Sequence, residues 1–201
     1  INYRANIDAL KQLGVTDILS ISSVGSLKET LQPGSFIIVD QFIDLTKYRV
    51  SSFFDADIVV HVSMAHPTDK DLMDIVDLSL DNISINYKRG GVYVCIEGPQ
   101  FSTLSESNLY RSWNCDVIGM TNMPEAKLCR EASLRYATVG MITDYDCWHP
   151  AHDNVEVSNV MDMLHKNTLI AQEFILKFIS HYSSSSINSK LNSFDCLVTP
   201  I

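Results

Sequence analysis

The sequence predicts an α/β protein organised around one central β-sheet, largely parallel or mixed, with helices on its faces. Three observations carry that expectation. Short runs of β-branched and aromatic residues alternate with segments of helical periodicity along the whole chain, the pattern of strand and helix units packed on one sheet. Punctuating signals separate several of these runs, among them Gly14 after the first helical stripe and Thr103 with Glu106 ahead of another. A length of 201 residues, 46% hydrophobic and 19% charged, suits one domain with a full core.

In chain order, residues 4–13 carry a helical stripe of Ile7, Leu10 and Leu13, stopped by Gly14. TDILSISSVGSL (16–27) reads as a strand entering a polar turn, and QPGSFIIVDQFI (32–43) as a turn followed by one buried strand. Residues 45–57 read as a long loop, and 68–88 as a helix with Leu72, Ile75, Val76 and Leu78. GGVYVCI (90–96) is a further strand. Thr103 with Glu106 three residues on makes a capping box, opening a helix with Leu109, Tyr110 and Trp113 on one face. DVIGM (116–120) is a strand, and Thr121 and Asn122 begin a helix with Pro124 near its first turn. RYATVGMI (135–142) is a strand. A long helix over 157–181 places Val160, Leu164, Ala171, Phe174, Ile175 and Phe178 on one side, until SSSS (183–186) breaks it before the tail FDCLVTPI.

Fifteen basic against twenty-four acidic residues leave a net charge of −9 and a pI near 5.0. No nucleic-acid partner is expected, because binding to phosphate backbones rests on basic patches. The longest apolar runs, such as Phe36–Val39 and Ile58–Val60, fall far short of the roughly 20 residues of a membrane helix, and no stretch has the layout of a secretory signal. Cys95, Cys115, Cys129, Cys147 and Cys196 are odd in number and form no C-x-x-C pair. They read as reduced thiols of a cytoplasmic protein, used as small core residues.

In open α/β sheets ligands gather beyond the carboxyl ends of the strands. That singles out Ser22–Ser26, Glu97–Ser102, Met120–Thr121 and Thr143–Asp146. SSVGS (22–26) is either an ordinary polar turn or an anion cradle of hydroxyls and backbone N–H groups. It lacks the lysine of a P-loop and the G-x-G-x-x-G spacing, so neither a nucleoside triphosphate nor a dinucleotide is expected. Thr121 is either a simple N-cap or part of an anion site, since helix N-termini present unpaired N–H groups. Phe101 in EGPQF is either a core side chain or an aromatic face for a flat heterocycle, with Glu97 and Ser102 beside it.

MITDYDCWHPAHD (141–153) concentrates three aspartates, one cysteine and two histidines. The oxygen-ligand pattern of a calcium loop is absent, as are H-E-x-x-H and a spaced Cys/His quartet, so no metal is expected. The remaining reading is a carboxyl at a strand end that handles a proton or reads a hydrogen-bonding edge. On a continuing strand Asp144 and Asp146, two apart, would share a face.

SVGSL followed by QPGSFIIVDQFID, then IEGPQFSTLSESNLYRSWNCDVIGMTNMPEAKLCREA and ATVGMITDYDCW, resemble the purine nucleoside phosphorylase family of the trimeric kind. The resemblance runs from NYRANI to the long helix and is strongest over 92–148. It implies a purine nucleoside phosphorylase-like α/β fold in a single domain over 1–201, a homotrimer, and phosphorolysis of a nucleoside with inorganic phosphate as co-substrate and no cofactor or metal. Carried over by position, Asp144 and Asp146 become the catalytic carboxyls, facing N7 and the 6-substituent of the base. Ser22, Ser23 and Thr121 match phosphate contacts, Met120 lies against the ribose, and Phe101 and Ser102 flank the base. Val157 and Val160 line the 5′-substituent pocket, while His61, with Leu197, approaches that pocket in a neighbouring subunit.

By the same resemblance, phosphorylases for 6-oxopurines carry Asn at the position of Asp144 and Glu at that of Ser102. A carboxylate accepts from the 6-amino group of adenine, whereas an Asn amide donates to a carbonyl O6. One aspartate must also be protonated to serve N7, which burial and a like-charged neighbour favour. The expected substrate is therefore 5′-methylthioadenosine. The alternatives are a 6-oxopurine nucleoside and a non-catalytic, nucleoside-binding member. Ahead of NYRANI the family carries a Gly/Ser/Thr phosphate turn and an Arg-His-Gly motif. Neither occurs here, so the chain is expected to lack its N-terminal segment, or else to be a degenerate member that relies on hydroxyls and backbone dipoles. Ser63 and His66 also stand where Pro and Glu are usual.

Overall fold

The computed structural model describes residues 1–54, 58–150, 157–185 and 196–200, and for 157–160 and 196–200 the backbone only. Its elements are α1 (Tyr3–Gln12), β1 (Asp17–Ser26), β2 (Phe36–Val39), β3 (Gln41–Asp44), β4 (Ile58–Val62), α2 (Lys70–Asp81), β5 (Tyr87–Arg89), β6 (Val92–Cys95), α3 (Leu104–Ser112), β7 (Val117–Gly119), α4 (Asn122–Glu131), β8 (Arg135–Asp144), α5 (Val157–Ser184) and β9 (Cys196–Pro200). Seven strands form one sheet in the order β3-β6-β7-β1-β8-β2-β5, and β4 pairs with β9 as a separate antiparallel ribbon. The pairs β1–β8, β6–β7, β3–β6 and β2–β5 are parallel, while β1–β7 and β2–β8 are antiparallel. The sheet is therefore mixed.

Side-chain alternation along each strand decides which helices cover which face. In β2, Ile37 and Val39 join Tyr3 and Ile7 of α1 and Leu128 of α4 on one face. Phe36 and Ile38 point the other way, onto Leu72, Val76 and Leu80 of α2 and Ala171, Phe174 and Phe178 of α5. β8 divides likewise, with Ile142 on the first face and Ala137, Val139 and Met141 on the second. Strands covered on both faces read as near-continuous apolar runs, which is why 135–142 is so uniform.

Several boundaries differ from the sequence reading. β1 continues straight through 22–26, because Gly25 and Ser26 find backbone partners in Ile118 and Val117 of β7. FIIVDQFI is two strands on opposite sides of the sheet; Asp40 divides them, its carboxylate accepting the Gly91 N–H at 2.9 Å. The helix expected over 68–88 ends at Asp81, and Tyr87–Arg89 pairs with β2 instead. In α3 the buried side chains are Ser107 and Tyr110, whereas Leu109 and Trp113 stay largely exposed. Ile175 of α5 is also largely exposed. The capping box forms as expected, with Thr103 and Glu106 satisfying each other's backbone N–H.

At the amino ends of β1 and β8 sits a buried ion pair. Arg135 Nε lies 2.5 Å from Asp17 Oδ1, and both side chains are about 5% exposed (6% and 5%). Asp17 Oδ2 also accepts from Thr16 Oγ1, Arg135 Nη2 and Tyr182 Oη at 2.6, 2.7 and 2.9 Å, so α5 is tied to the same carboxylate. Removing one partner leaves an uncompensated buried charge. Asp17→Ala is expected to lower the free energy of unfolding by about 3–5 kcal/mol, read by urea denaturation; a loss under about 1 kcal/mol would mean the pair is not desolvated.

Candidate functional site

The four singled-out strand ends meet at one cleft. It is lined by Ser23, Val24 and Gly25 from β1, Ile96, Phe101 and Ser102 after β6, Ile118 to Thr121 at the end of β7, and Thr143, Asp144 and Asp146 at the end of β8. Its volume is about 190 Å³, below the ~300–1,000 Å³ of sites that enclose a whole drug-sized ligand. A larger cleft of about 720 Å³ shares Ile96, Phe101 and Ser102 and runs out over Glu97, Lys47 and Glu106.

The acidic end is built by a slip in register. β1 and β8 pair residue for residue up to Val24–Ile142, then shift so that Gly25 lies beside Asp144. A one-residue shift re-aims the side chains beyond it. Space for that approach exists because position 25 has no side chain: a Cβ there would lie 2.9 Å from Asp144 Oδ1. Asp144 Oδ2 accepts from Thr143 Oγ1 and its Oδ1 from the Asp146 N–H, both at 2.7 Å. The second of these closes a turn of the kind Asp favours. Asp146 itself has φ of +53°, a left-handed conformation that Asp tolerates better than most residues. The two carboxyls therefore meet through a turn, not along one strand face as the spacing suggested.

Burial raises the pKa of both. The Asp144 carboxyl is lifted by desolvation, against the pull of its hydrogen bonds from Thr143 and Asp146. The Asp146 carboxyl is pushed up to about 6 by burial; the Ser107 hydroxyl pulls it down and the Asp144 charge adds to the rise. Asp146 Oδ2 and Ser102 Oγ are both buried without a hydrogen-bond partner, and a buried polar atom left unpaired calls for an explanation. Trp148 seats the segment that follows, donating from its indole N–H to the Ser26 carbonyl at 2.7 Å beneath the Arg111 guanidinium.

The opposite end is made of hydroxyls. Ser22 Oγ and Thr121 Oγ1 lie 2.7 Å apart, joining β1 to the start of α4. Thr121 is the residue before the helix but makes no side-chain cap bond, so its hydroxyl is left for Ser22. Its N–H donates to Tyr93 Oη at 3.3 Å. Tyr93 reaches this position because Gly119 is in the way of nothing; a Cβ there would sit 2.0 Å from the phenol oxygen. Ser22 is buried, whereas Ser23 is exposed at the cleft wall. None of the described residues lining the smaller cleft is cationic.

Arg49 escaped sequence reasoning altogether. From the loop after β3 its Nη1 donates to the carbonyls of Met120 and Met123 at 2.6 and 2.5 Å, and its Nη2 to those of Ile96 and Glu97 at 3.2 and 2.7 Å. Nη1 also reaches Tyr3 Oη, and Nε pairs with Glu97 Oε1 at 3.2 Å. One guanidinium thus gathers the ends of β6 and β7, α1 and α4 behind the cleft. Its only sequence signal is a basic residue in a loop, which ordinarily marks a solvated surface. Of the remaining expected residues, Phe101 is half exposed on the cleft wall rather than in the core. His61 is exposed on β4, opposite Leu197 of β9, and does not line this cleft. The side chains of Val157, Val160 and Leu197 lie outside the described residues.

The sequence profile described as Phosphorylase superfamily matches residues 1–180. The chain is 60% identical to the S-methyl-5′-thioadenosine phosphorylase of Rhodospirillum rubrum over 87% of its own length and 60% of that protein's. With the S-methyl-5′-thioadenosine phosphorylase of Thermosynechococcus vestitus it shares 46% identity over its full length and 71% of the relative. Among solved structures, methylthioadenosine phosphorylase from Schistosoma mansoni in complex with adenine superposes with a TM-score of 0.90 at 32% identity, covering 95% of this chain and 73% of that one. The chain spans about 60% of the length of the first curated relatives it matches (60%, 57% and 57%).

A carboxyl whose pKa is pushed up to about 6 by burial, from an ordinary value of 3.8, binds its proton more tightly in the folded state. It costs nothing below pH ~4, where both states are protonated, and destabilises progressively as pH rises to ~6 and fully above it. At 1.36 kcal/mol per unit this amounts to roughly 3 kcal/mol. Asp146→Asn is expected to be more stable than the parent by about 1–3 kcal/mol at pH 8, with the advantage fading towards pH 4, in urea titrations across that range. An advantage independent of pH would contradict the buried ionisation.

Proposed function

Since this chain belongs to the phosphorylase superfamily, we propose that it acts in a phosphorylase that cleaves S-methyl-5′-thioadenosine into adenine and 5-methylthioribose 1-phosphate. One observation carries the reading: two carboxyls whose pKa values are raised by desolvation line the same cleft as Ser23 and Thr121, with the hydroxyl of buried Ser22 behind it at 2.7 Å from that of Thr121. In the proposed reaction the C1′–N9 bond breaks and its electron pair goes to the purine. A phosphate oxygen forms the new bond to C1′, and adenine takes up a proton at N7. The proton lost by phosphate as the ester forms balances the one adenine gains.

Asp144 and Asp146 share the proton delivered to the base, and the titration belongs to the pair rather than to either side chain. General acid help of this kind is worth roughly 10²–10⁴ in rate. The free Oδ2 of Asp146 and the free Oγ of Ser102 are groups a heterocycle would satisfy, with Phe101 as its stacking face and Met120 against the sugar. Ser22, Ser23 and Thr121 contribute phosphate donors. Inorganic phosphate is the co-substrate, with no further cofactor. Val157 and Val160 serve the 5′-methylthio group, and His61 with Leu197 completes that pocket in the neighbouring subunit of a cytoplasmic homotrimer.

A second reading, a nucleoside-binding member without turnover, is favoured by the lack of a cation among the described residues of the cleft wall. Hydroxyls and dipoles alone hold a dianion less firmly than charged donors do. Methylthioadenosine supplied with and without phosphate separates the readings. Adenine is expected to appear only with phosphate; binding of the nucleoside without release would favour the second reading, and equal release in water would point to hydrolysis. Asp144→Asn is expected to lower adenine release from methylthioadenosine by 10²-fold or more, about the worth of one general acid, and to shift preference towards inosine in a competition assay.

A further inference from the structure

We propose that Arg49 is a positioning residue for the hydroxyl end of the cleft, its guanidinium holding the 120–123 turn in the shape that presents Thr121 to an anion. The proposal rests on the reading of Ser22, Ser23 and Thr121 as phosphate donors.

The start of α4 is not a regular helical turn. Thr121 has φ of −117° and ψ of −31°, and Met123 is extended, with φ of −119° and ψ of 133°. Arg49 Nη1 donates to the two carbonyls that bracket Thr121, Met120 O at 2.6 Å and Met123 O at 2.5 Å. Each carbonyl has a second, longer contact, from Tyr3 Oη at 3.4 Å and from Cys95 Sγ at 3.8 Å, and hydrogen bonds weaken with such lengthening. The carbonyl and the N–H of a trans peptide point opposite ways. Fixing Met120 O on Arg49 therefore aims the Thr121 N–H away from it, onto Tyr93 Oη, while the Thr121 hydroxyl meets that of Ser22 at 2.7 Å.

The guanidinium can serve as a brace because it is itself fixed. Its side chain is 12% exposed, Nε pairs with Glu97 Oε1, and Nη2 donates to the carbonyls of Ile96 and Glu97. A planar fork holds these nitrogens at set angles to one another, which the single ammonium of lysine cannot reproduce. The acidic end has anchors of its own. Thr143 and the Asp146 N–H hold Asp144, Trp148 holds Ser26, and Cys147 Sγ donates to the Ser102 carbonyl at 3.3 Å. Ile96, though it touches the fork, is also held by the Gly119 carbonyl, which accepts its N–H at 2.9 Å. Releasing the fork is therefore expected to loosen the anion end and leave the base end standing.

The test is calorimetric titration of the protein with inorganic phosphate and, separately, with adenine. Arg49→Lys keeps the charge and removes the fork. It is expected to weaken phosphate binding about tenfold, the worth of one hydrogen bond to a charged group, and to leave adenine binding within about twofold of the parent. Because Arg49 acts through Thr121, the loss should largely vanish when Arg49→Lys is made in a Thr121→Val background, which already lacks the hydroxyl. Glu97→Gln, which removes only the charged partner of Nε, is expected to show the same selectivity at smaller size and stands in if the lysine variant fails to fold. Unchanged phosphate affinity with only a lower melting temperature, an equal loss for adenine, or additive losses in the double variant would overturn the proposal. A parent that takes adenine but no phosphate would count against the proposed function instead. Arg49 is then judged by amide hydrogen exchange at Thr121: exchange about tenfold faster in Arg49→Lys, with β8 unchanged, upholds the brace, and equal exchange refutes it.

Discussion

Every other feature of the cleft depends on how closely the backbone at Gly25 approaches the Asp144 carboxylate. Two long parallel strands lie side by side through the middle of the sheet, and their pairing slips by one residue just where they reach the surface. The slip aims Asp144 across the end of β1, and the missing side chain at 25 lets it stay there. From that anchor the rest follows by short-range bonding: Thr143 and the Asp146 N–H fix the Asp144 oxygens, the turn places Asp146 beside them, and Trp148 locks the segment down on Ser26. A bulkier residue at 25 would disturb all of these at once.

The two ends of the cleft set opposite electrostatic demands. Two desolvated carboxyls cannot both remain charged at low cost, and an anion at the hydroxyl end would press their pKa values further upward. Protonation of the pair and occupation by an anion therefore favour each other, a coupling useful to a reaction that needs an acid and an anionic nucleophile in one place. The hydroxyl end makes no demand for charge within itself. Ser22 and Thr121 satisfy one another, and Tyr93, held neutral by burial with its pKa pushed up to about 12, accepts the one backbone N–H that points its way.

Behind this surface, main-chain carbonyls at strand ends would be left without sheet partners. Arg49 answers them, four carbonyls converging on one guanidinium. Its charge is spent on structure, which explains why a cation so near the cleft contributes nothing to its wall. The side chain also illustrates what local reasoning misses: a loop arginine in an acidic chain has no periodicity, no motif and no neighbour in sequence to announce that it is half-buried.

Much of this protein was decided within the sequence alone. Runs of β-branched and aromatic residues marked strands within 32–43, 90–96 and 135–142, although the first proved to be two, the Thr103–Glu106 pair gave the start of α3, and the polar residues at strand ends picked out the four segments that border the cleft. Those signals are local, arising from backbone sterics, capping and burial over a few residues, so they survive without knowledge of partners. Where local pattern and pairing disagreed, pairing prevailed: β1 runs on through its serines because β7 lies beside it, and Tyr87–Arg89 leaves the helix because β2 offers an edge. The tertiary structure alone decided the register slip at Gly25, the turn that brings Asp146 back onto Asp144 and the gathering of carbonyls on Arg49. Each is a contact between residues distant in sequence or a conformation imposed by such a contact, and its energy depends on a partner that no stretch of the chain contains by itself.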